Sequence, residues 1–145
     1  MVLALFSNKL LAQAPPLNWY SSVDASTPEA EIWGTCGDKD GNFFVTGRIL
    51  DTTTFGTVVL NTFGGGSNFY LVKYNASGSV VWGKTFNTPN SSAIGYSVCT
   101  DNNGDVIVSG SYNSPTITID TTVLTNVSNG SLPDIFLVKY DTDGN

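Results

Sequence analysis

The chain contains no histidine. That removes Ser-His-Asp and Cys-His catalysis, histidine-ligated zinc and the usual general base near neutral pH. Carboxylates, thiols, amines and aromatic rings remain. Three segments are rich in oxygen donors: Asp38-Lys-Asp40-Gly-Asn42, Asp101-Asn-Asn103-Gly-Asp105 and Asp141-Thr-Asp143-Gly-Asn145. Alternating acids of this kind would suit calcium, a hard cation. An EF-hand loop puts glycine sixth, however, and here it is fourth. Asn75-Ala-Ser77-Gly-Ser79 has the same layout with no acid at all. The pattern therefore does not require a metal, and we read all four segments as hairpin turns. No metal ligand, cofactor site or catalytic residue is assigned.

Four other sets of side chains could carry chemistry. Cys36 and Cys99 occupy the same position in two similar stretches, Cys36–Gly47 and Cys99–Gly110. Equivalent residues on packed neighbouring sheets lie about 10 Å apart, beyond the ~7 Å limit for a disulfide. Two free, buried cysteines acting as small hydrophobes are expected. Lys73-Tyr74 and Lys139-Tyr140 also recur. A catalytic residue is needed once, so recurrence favours a structural role, such as a lysine bonding a turn carboxylate. Trp19, Trp33 and Trp82 could stack on sugar rings, but Trp19 and Trp82 recur at one strand position, which favours core packing. Asp51 and Asp120 lie in longer connections at an offset of 69 and have no shared structural explanation. The sequons at Asn75, Asn90, Asn126 and Asn129 fall in Ser/Thr/Asn-rich stretches and carry little weight.

These residues need a scaffold, and the composition limits its kind. The 145 residues are 41% hydrophobic and only 12% charged, with a net charge of −6. A nucleic-acid partner would need a basic stripe, and anionic lipid would need a polybasic segment. Disorder is excluded by the apolar and aromatic content. Residues 1–14, MVLALFSNKLLAQA, form a short apolar stretch ending in Ala12-Gln13-Ala14. They read as the back half of a secretory signal peptide, with a frayed apolar strand as the alternative. Fourteen residues are too few for a membrane-spanning helix, which needs about 20.

An internal repeat organises the rest. Cys36–Gly47 aligns with Cys99–Gly110 at offset 63, Phe55–Leu60 with Ile119–Leu124 at offset 64, and Asn68–Tyr74 with Asp134–Tyr140 at offset 66. Leu17-Asn-Trp19-Tyr-Ser-Ser resembles Val80-Val-Trp82-Gly-Lys-Thr, again at offset 63. Short β-branched and aromatic runs predict strands at 31–37, 43–49, 69–74 and 80–86, then at 94–100, 105–112 and 135–140. The continuous apolar runs Phe43-Phe-Val-Thr, Phe69-Tyr-Leu-Val, Val106-Ile-Val-Ser and Ile135-Phe-Leu-Val predict burial on both faces. Asp40-Gly41, Ser77-Gly78, Asn103-Gly104 and Asp143-Gly144 mark tight turns. Extra hairpins are expected around Val58-Val59-Leu60 and Val123-Leu124. No stretch after residue 14 has a helical period, so no helix is expected in the mature part.

The ordered blocks D-x-D/N-G-N/D-apolar-apolar-V-T/S-G, F-G-T-x-x-L, D/N-apolar-F/Y-L-V-K-Y and V-V-W resemble the SBBP-type β-propeller repeat of bacterial secreted and surface proteins. Ile119-Asp120 departs from the pattern where the first copy has Phe55-Gly56. The resemblance implies an all-β fold, a partial β-propeller of about two blades of four antiparallel strands. Residues 15–24 would be a closing strand, 25–87 the first blade, and 88–145 a second blade lacking its last strand. Two copies cannot close a ring, so a fragment is expected, with the remaining blades of the same chain as partners. The expected function is a non-enzymatic, secreted or surface-displayed scaffold binding protein or carbohydrate. The alternative is part of a propeller hydrolase or lyase acting on extracellular glycans, with Asp51 and Asp120 as its carboxylates.

Overall fold

The computed structural model describes residues 23–25 (backbone alone), 30–62, 65–86 and 91–145. Residues 1–14 and most of 15–24 lie outside these, as do Trp19 and Asn90. The described residues form twelve strands and no helix. No helix among them is long and apolar enough to cross a membrane.

In chain order the strands are β1 Val23–Ala25, β2 Ala30–Gly37, β3 Phe43–Ile49, β4 Thr53–Phe55, β5 Val58–Leu60, β6 Asn68–Tyr74 and β7 Val80–Phe86. They continue with β8 Ala93–Thr100, β9 Val106–Tyr112, β10 Thr116–Ile119, β11 Thr122–Thr125 and β12 Asp134–Tyr140. All seven long strands fall within one residue of the expected ranges, and both extra hairpins form, as β4–β5 and β10–β11. The first repeat is an antiparallel sheet in the order β2-β3-β6-β7, and the second is the sheet β8-β9-β12. Each carries its short hairpin between its second and third long strands. β1 pairs with β4, which makes β1-β4-β5 a small third sheet.

Side chains alternate across each strand, and this splits the core in two. Phe44, Phe69, Leu71 and Phe86 of the first sheet meet Val98, Val106, Val108 and Phe136 of the second. Phe69 is fully buried; its ring stacks on Phe86 and tilts against Phe136, with centroids 4.8 Å away in both cases. Burying a side chain of this size contributes about 1.5–3 kcal/mol. The opposite face of the first sheet packs Val45, Ile49, Tyr70, Val72 and Tyr74 against Phe55 and Leu60 of the hairpin β4–β5.

Burial on both faces holds for β6, where every residue is buried. It fails for β12, where Ile135 and Leu137 are 86% and 72% exposed. Their counterparts Phe69 and Leu71 are covered by the second sheet. The face bearing Ile135 and Leu137 has no such neighbour among the described residues.

Turn chemistry connects the long strands. In each of the four D/N-x-x-G turns the first residue's side-chain oxygen accepts from the N–H groups two and four positions on. The distances are 2.9 and 2.9 Å at Asp38, 3.0 and 2.9 Å at Asn75, 2.8 and 3.1 Å at Asp101, and 2.9 and 2.8 Å at Asp141. Gly41, Gly78, Gly104 and Gly144 follow with φ between 79° and 87°, the left-handed conformation that closes a three-residue hairpin loop.

Candidate functional site

β2 and β8 each carry a β-bulge at the same repeat position. Ile32 pairs with Gly47 and Gly34 with Thr46, which leaves Trp33 as the extra residue. Gly95 pairs with Gly110 and Ser97 with Ser109, which leaves Tyr96. A bulge re-aims its extra side chain, and here each turns an aromatic ring outward. Trp33 is 50% exposed and Tyr96 43%. The rings meet edge to face at 5.4 Å and 68°, a favoured aromatic geometry.

The glycines of the repeat make this possible. A Cβ on Gly47 would collide with the Glu31 carbonyl, and one on Gly110 with the Ile94 carbonyl. These are the carbonyls that precede each bulge, so the last glycine of the V-T/S-G block is a steric requirement of the bulge. A Cβ on Gly34 would lie 3.0 Å from Ser97 Cα. Gly34 thereby lets β2 and β8 approach closely enough to bring the two rings together.

Polar groups fix both rings. Trp33 Nε1 donates to Glu31 at 2.8 Å, and Arg48 grips the same carboxylate through Nε at 3.0 Å and a second nitrogen at 2.7 Å. The Arg48 hydrogen bonds first, and the Trp33 indole second, hold the Glu31 carboxyl below its ordinary value. Arg48's counterpart Ser111 donates its hydroxyl to Tyr96 Oη at 3.3 Å. Beside Tyr96 lies a cavity of about 140 Å³ lined by Ser92, Ile94, Ser111, Asn113 and Pro133. The result is an exposed aromatic pair rimmed by hydroxyl and amide groups, with one fixed carboxylate. It offers flat apolar faces and hydrogen-bonding edges.

The residues singled out from the sequence lie elsewhere. Trp33 departs from the expected core packing because the bulge re-aims it. Trp82 follows it: its ring lies against Phe44 and its Nε1 donates to the Thr142 carbonyl at 3.2 Å. Cys36 and Cys99 are free, with Cys36 partly buried. Cys99 is exposed, against the expected burial, because no sheet among the described residues covers its side of β8. Burial first, then the neighbouring Cys99 and Asp38, pushes the Cys36 thiol up to about 11.

The recurring lysines hold turns. Lys139 Nζ bonds the turn carboxylates of Asp101 and Asp105 at 2.8 and 2.9 Å. Lys73, buried between the sheets, donates to the Thr142 carbonyl in the second repeat at 2.7 Å. Tyr74 and Tyr140 are both buried; burial, then the Asp120 charge, raises the Tyr140 phenol. Among the sequon residues, Asn126 is buried and bonds the Leu132 carbonyl at 2.8 Å.

Asp51 and Asp120 are not brought into one site. Asp51 caps the start of the hairpin β4–β5, accepting from the Thr52 N–H at 2.7 Å. Asp120 sits at the tip of the hairpin β10–β11 with φ 50°, where the first repeat has Gly56 at φ 57°. Asp tolerates this conformation better than most residues, and its carboxylate pairs with Lys84 at 2.9 Å. Among the described residues no cluster of three or more acids or cysteines could hold a metal.

Sequence reasoning missed the Trp33–Tyr96 pair. The signal was present: the two aromatics stand at offset 63 in the first strand of each repeat. The chain matches no protein-family model and no curated protein sequence.

Proposed function

We propose that the chain is a non-enzymatic binding scaffold whose ligand, a carbohydrate or a protein segment, docks on the Trp33–Tyr96 surface. The observation that carries this is the repeated bulge, which holds one half-exposed aromatic per repeat against an ordered polar rim. Exposed aromatics fixed by hydrogen bonds offer large contact area at low entropic cost, and Trp and Tyr dominate binding energy at interfaces. Sugar rings suit the pair: their C–H faces pack on indole and phenol, and their hydroxyls match Ser111, Asn113 and Glu31. The two sheets are, in this reading, adjacent blades of a β-propeller of the SBBP repeat type, displayed outside the cell. The sheet order, the repeated hairpin and the apolar face left open on β12 support it.

A glycan array probed with the chain tests the assignment. Trp33→Ala and Tyr96→Ala are each expected to weaken retained binding at least tenfold, with Tm within about 2 °C of the parent. Binding unchanged by both substitutions would sink the site assignment. Turnover of any bound glycan would sink the non-enzymatic reading.

A further inference from the structure

Asparagine or aspartate precedes glycine at four places: Asp40-Gly41, Asn103-Gly104, Asn129-Gly130 and Asp143-Gly144. Glycine has no Cβ to block close approach to its backbone. Its nitrogen can therefore attack the side-chain carbonyl carbon of the residue before it. The attack needs that nitrogen free of other bonds.

At three of the four steps the repeated turn denies this. The glycine N–H donates to the carbonyl three residues back: Gly41 to Asp38 at 3.2 Å, Gly104 to Asp101 at 3.0 Å and Gly144 to Asp141 at 3.1 Å. An N–H engaged in this way reacts only after local opening.

Asn129-Gly130 lies outside the repeated turns. It falls in the connection between β11 and β12, where the offset between the repeats grows from 64 to 66. The ends of this loop are pinned by buried Asn126, which donates to the Leu132 carbonyl at 2.8 Å and accepts from the Ser128 N–H at 2.8 Å. Two turn bonds flank the tip, from the Asn129 N–H to the Asn126 carbonyl at 3.0 Å and from the Ser131 N–H to the Ser128 carbonyl at 3.2 Å. Between them, the Gly130 N–H has no hydrogen-bond partner among the described residues, and neither has the Asn129 carboxamide. Asn129 is exposed, with φ at 55°, a conformation that asparagine tolerates better than most residues.

We propose that Asn129 is a site of spontaneous covalent modification, the one of these four steps at which a succinimide forms in the folded chain. The Gly130 nitrogen gives its proton to water or hydroxide and attacks Asn129 Cγ. The new C–N bond closes the ring, the Cγ–Nδ2 bond breaks, and Nδ2 takes a proton from water and leaves as ammonia. Water then opens the ring at either carbonyl, which yields aspartate or isoaspartate. Both products put a carboxylate at the loop tip, and isoaspartate also lengthens the backbone beside Gly130. There is little room for this: a Cβ on Gly130 would lie 2.8 Å from the Asn113 carbonyl oxygen. Asn113 also lines the cavity beside Tyr96, so the change occurs next to the rim of the aromatic pair. The inference does not depend on a ligand binding there.

The experiment incubates the folded chain at pH 8 and follows each asparagine by peptide mass mapping over time. Conversion of amide to acid is expected at Asn129 at least tenfold faster than at Asn103, with isoaspartate and aspartate both formed. In urea, where the turn bonds are lost, the two Asn-Gly steps are expected to react at similar rates. Asn129→Ser is expected to remove the early product without changing Tm. Equal rates at Asn103 and Asn129 in the folded chain would overturn the proposal. So would an Asn129 that converts in urea but not in the folded chain. Aspartate formed without isoaspartate would mean direct hydrolysis of the amide, and would overturn the attack by Gly130.

Discussion

Asp38, Asp101 and Asp141 hold their turns as acceptors, and each carboxyl is shifted below its ordinary value. Burial alone would raise Asp38, but the Asn42 amide and the Asn42 and Asp40 N–H groups outweigh it. The Lys139 ammonium does most at Asp101, and the Asn145 N–H does most at Asp141. A lowered folded pKa gives stability that is fully present above the ordinary value of 3.8 and is lost as pH falls through the folded value. Asn75 holds the same turn without a titrating group. The triple variant Asp38→Asn, Asp101→Asn, Asp141→Asn is therefore expected to melt within a few degrees of the parent at pH 7. Its Tm should fall less steeply between pH 4 and pH 2, as followed by circular dichroism. The two thiols differ as well. Alkylation without reductant is expected to add two labels at pH 8, at exposed Cys99 first and at Cys36 at least tenfold more slowly. Peptide mass mapping over time reads this order, and equal rates would contradict the burial difference.

At the scale of elements, the bulged strands depend on their glycine partners. Gly110→Ala would push a methyl into the Ile94 carbonyl and into the Phe136 ring behind it. Overpacking of this kind costs about 1–3 kcal/mol, and Gly47→Ala acts the same way on the Glu31 carbonyl. Urea unfolding measures the cost. Amide hydrogen exchange across Ile94–Ser97 reports whether the bulge itself has moved. The V-T/S-G block was legible as a repeated motif, but its reason was not. A glycine inside a strand reads in sequence only as a break in the apolar run, and the pairing register shows that it faces a bulge carbonyl. The four hairpin turns were legible because their chemistry is local: an Asx acceptor and a glycine of positive φ act within five residues.

At the scale of the whole molecule, two equivalent apolar positions have different fates. Leu71 is fully buried between the sheets, and Leu137 is 72% exposed. Leu71→Asp would place an unpaired charge in a dry interface and is expected to prevent folding. Leu137→Asp is expected to change stability by no more than about 0.5 kcal/mol, and to reduce self-association of an exposed apolar face. Sedimentation velocity and thermal melts of the two variants separate these outcomes. A strong loss of Tm in Leu137→Asp would mean that this face is already covered.

The sequence by itself determined what depends on neighbours along the chain. Strand positions, the four turns, the two inserted hairpins and the absence of helix among the described residues follow from β-branched runs, glycine spacing and the repeat. It also excluded histidine chemistry, because the chain has no histidine. Only the tertiary structure decided which face of each strand is covered, because identical repeat positions take their burial from what packs against them. That is why Phe69 lies in a core while Ile135 lies in the open, and why Cys99 is exposed. It also decided that Trp33 and Tyr96 form a pair: a bulge is set by the register between two strands, which no single strand's residues specify.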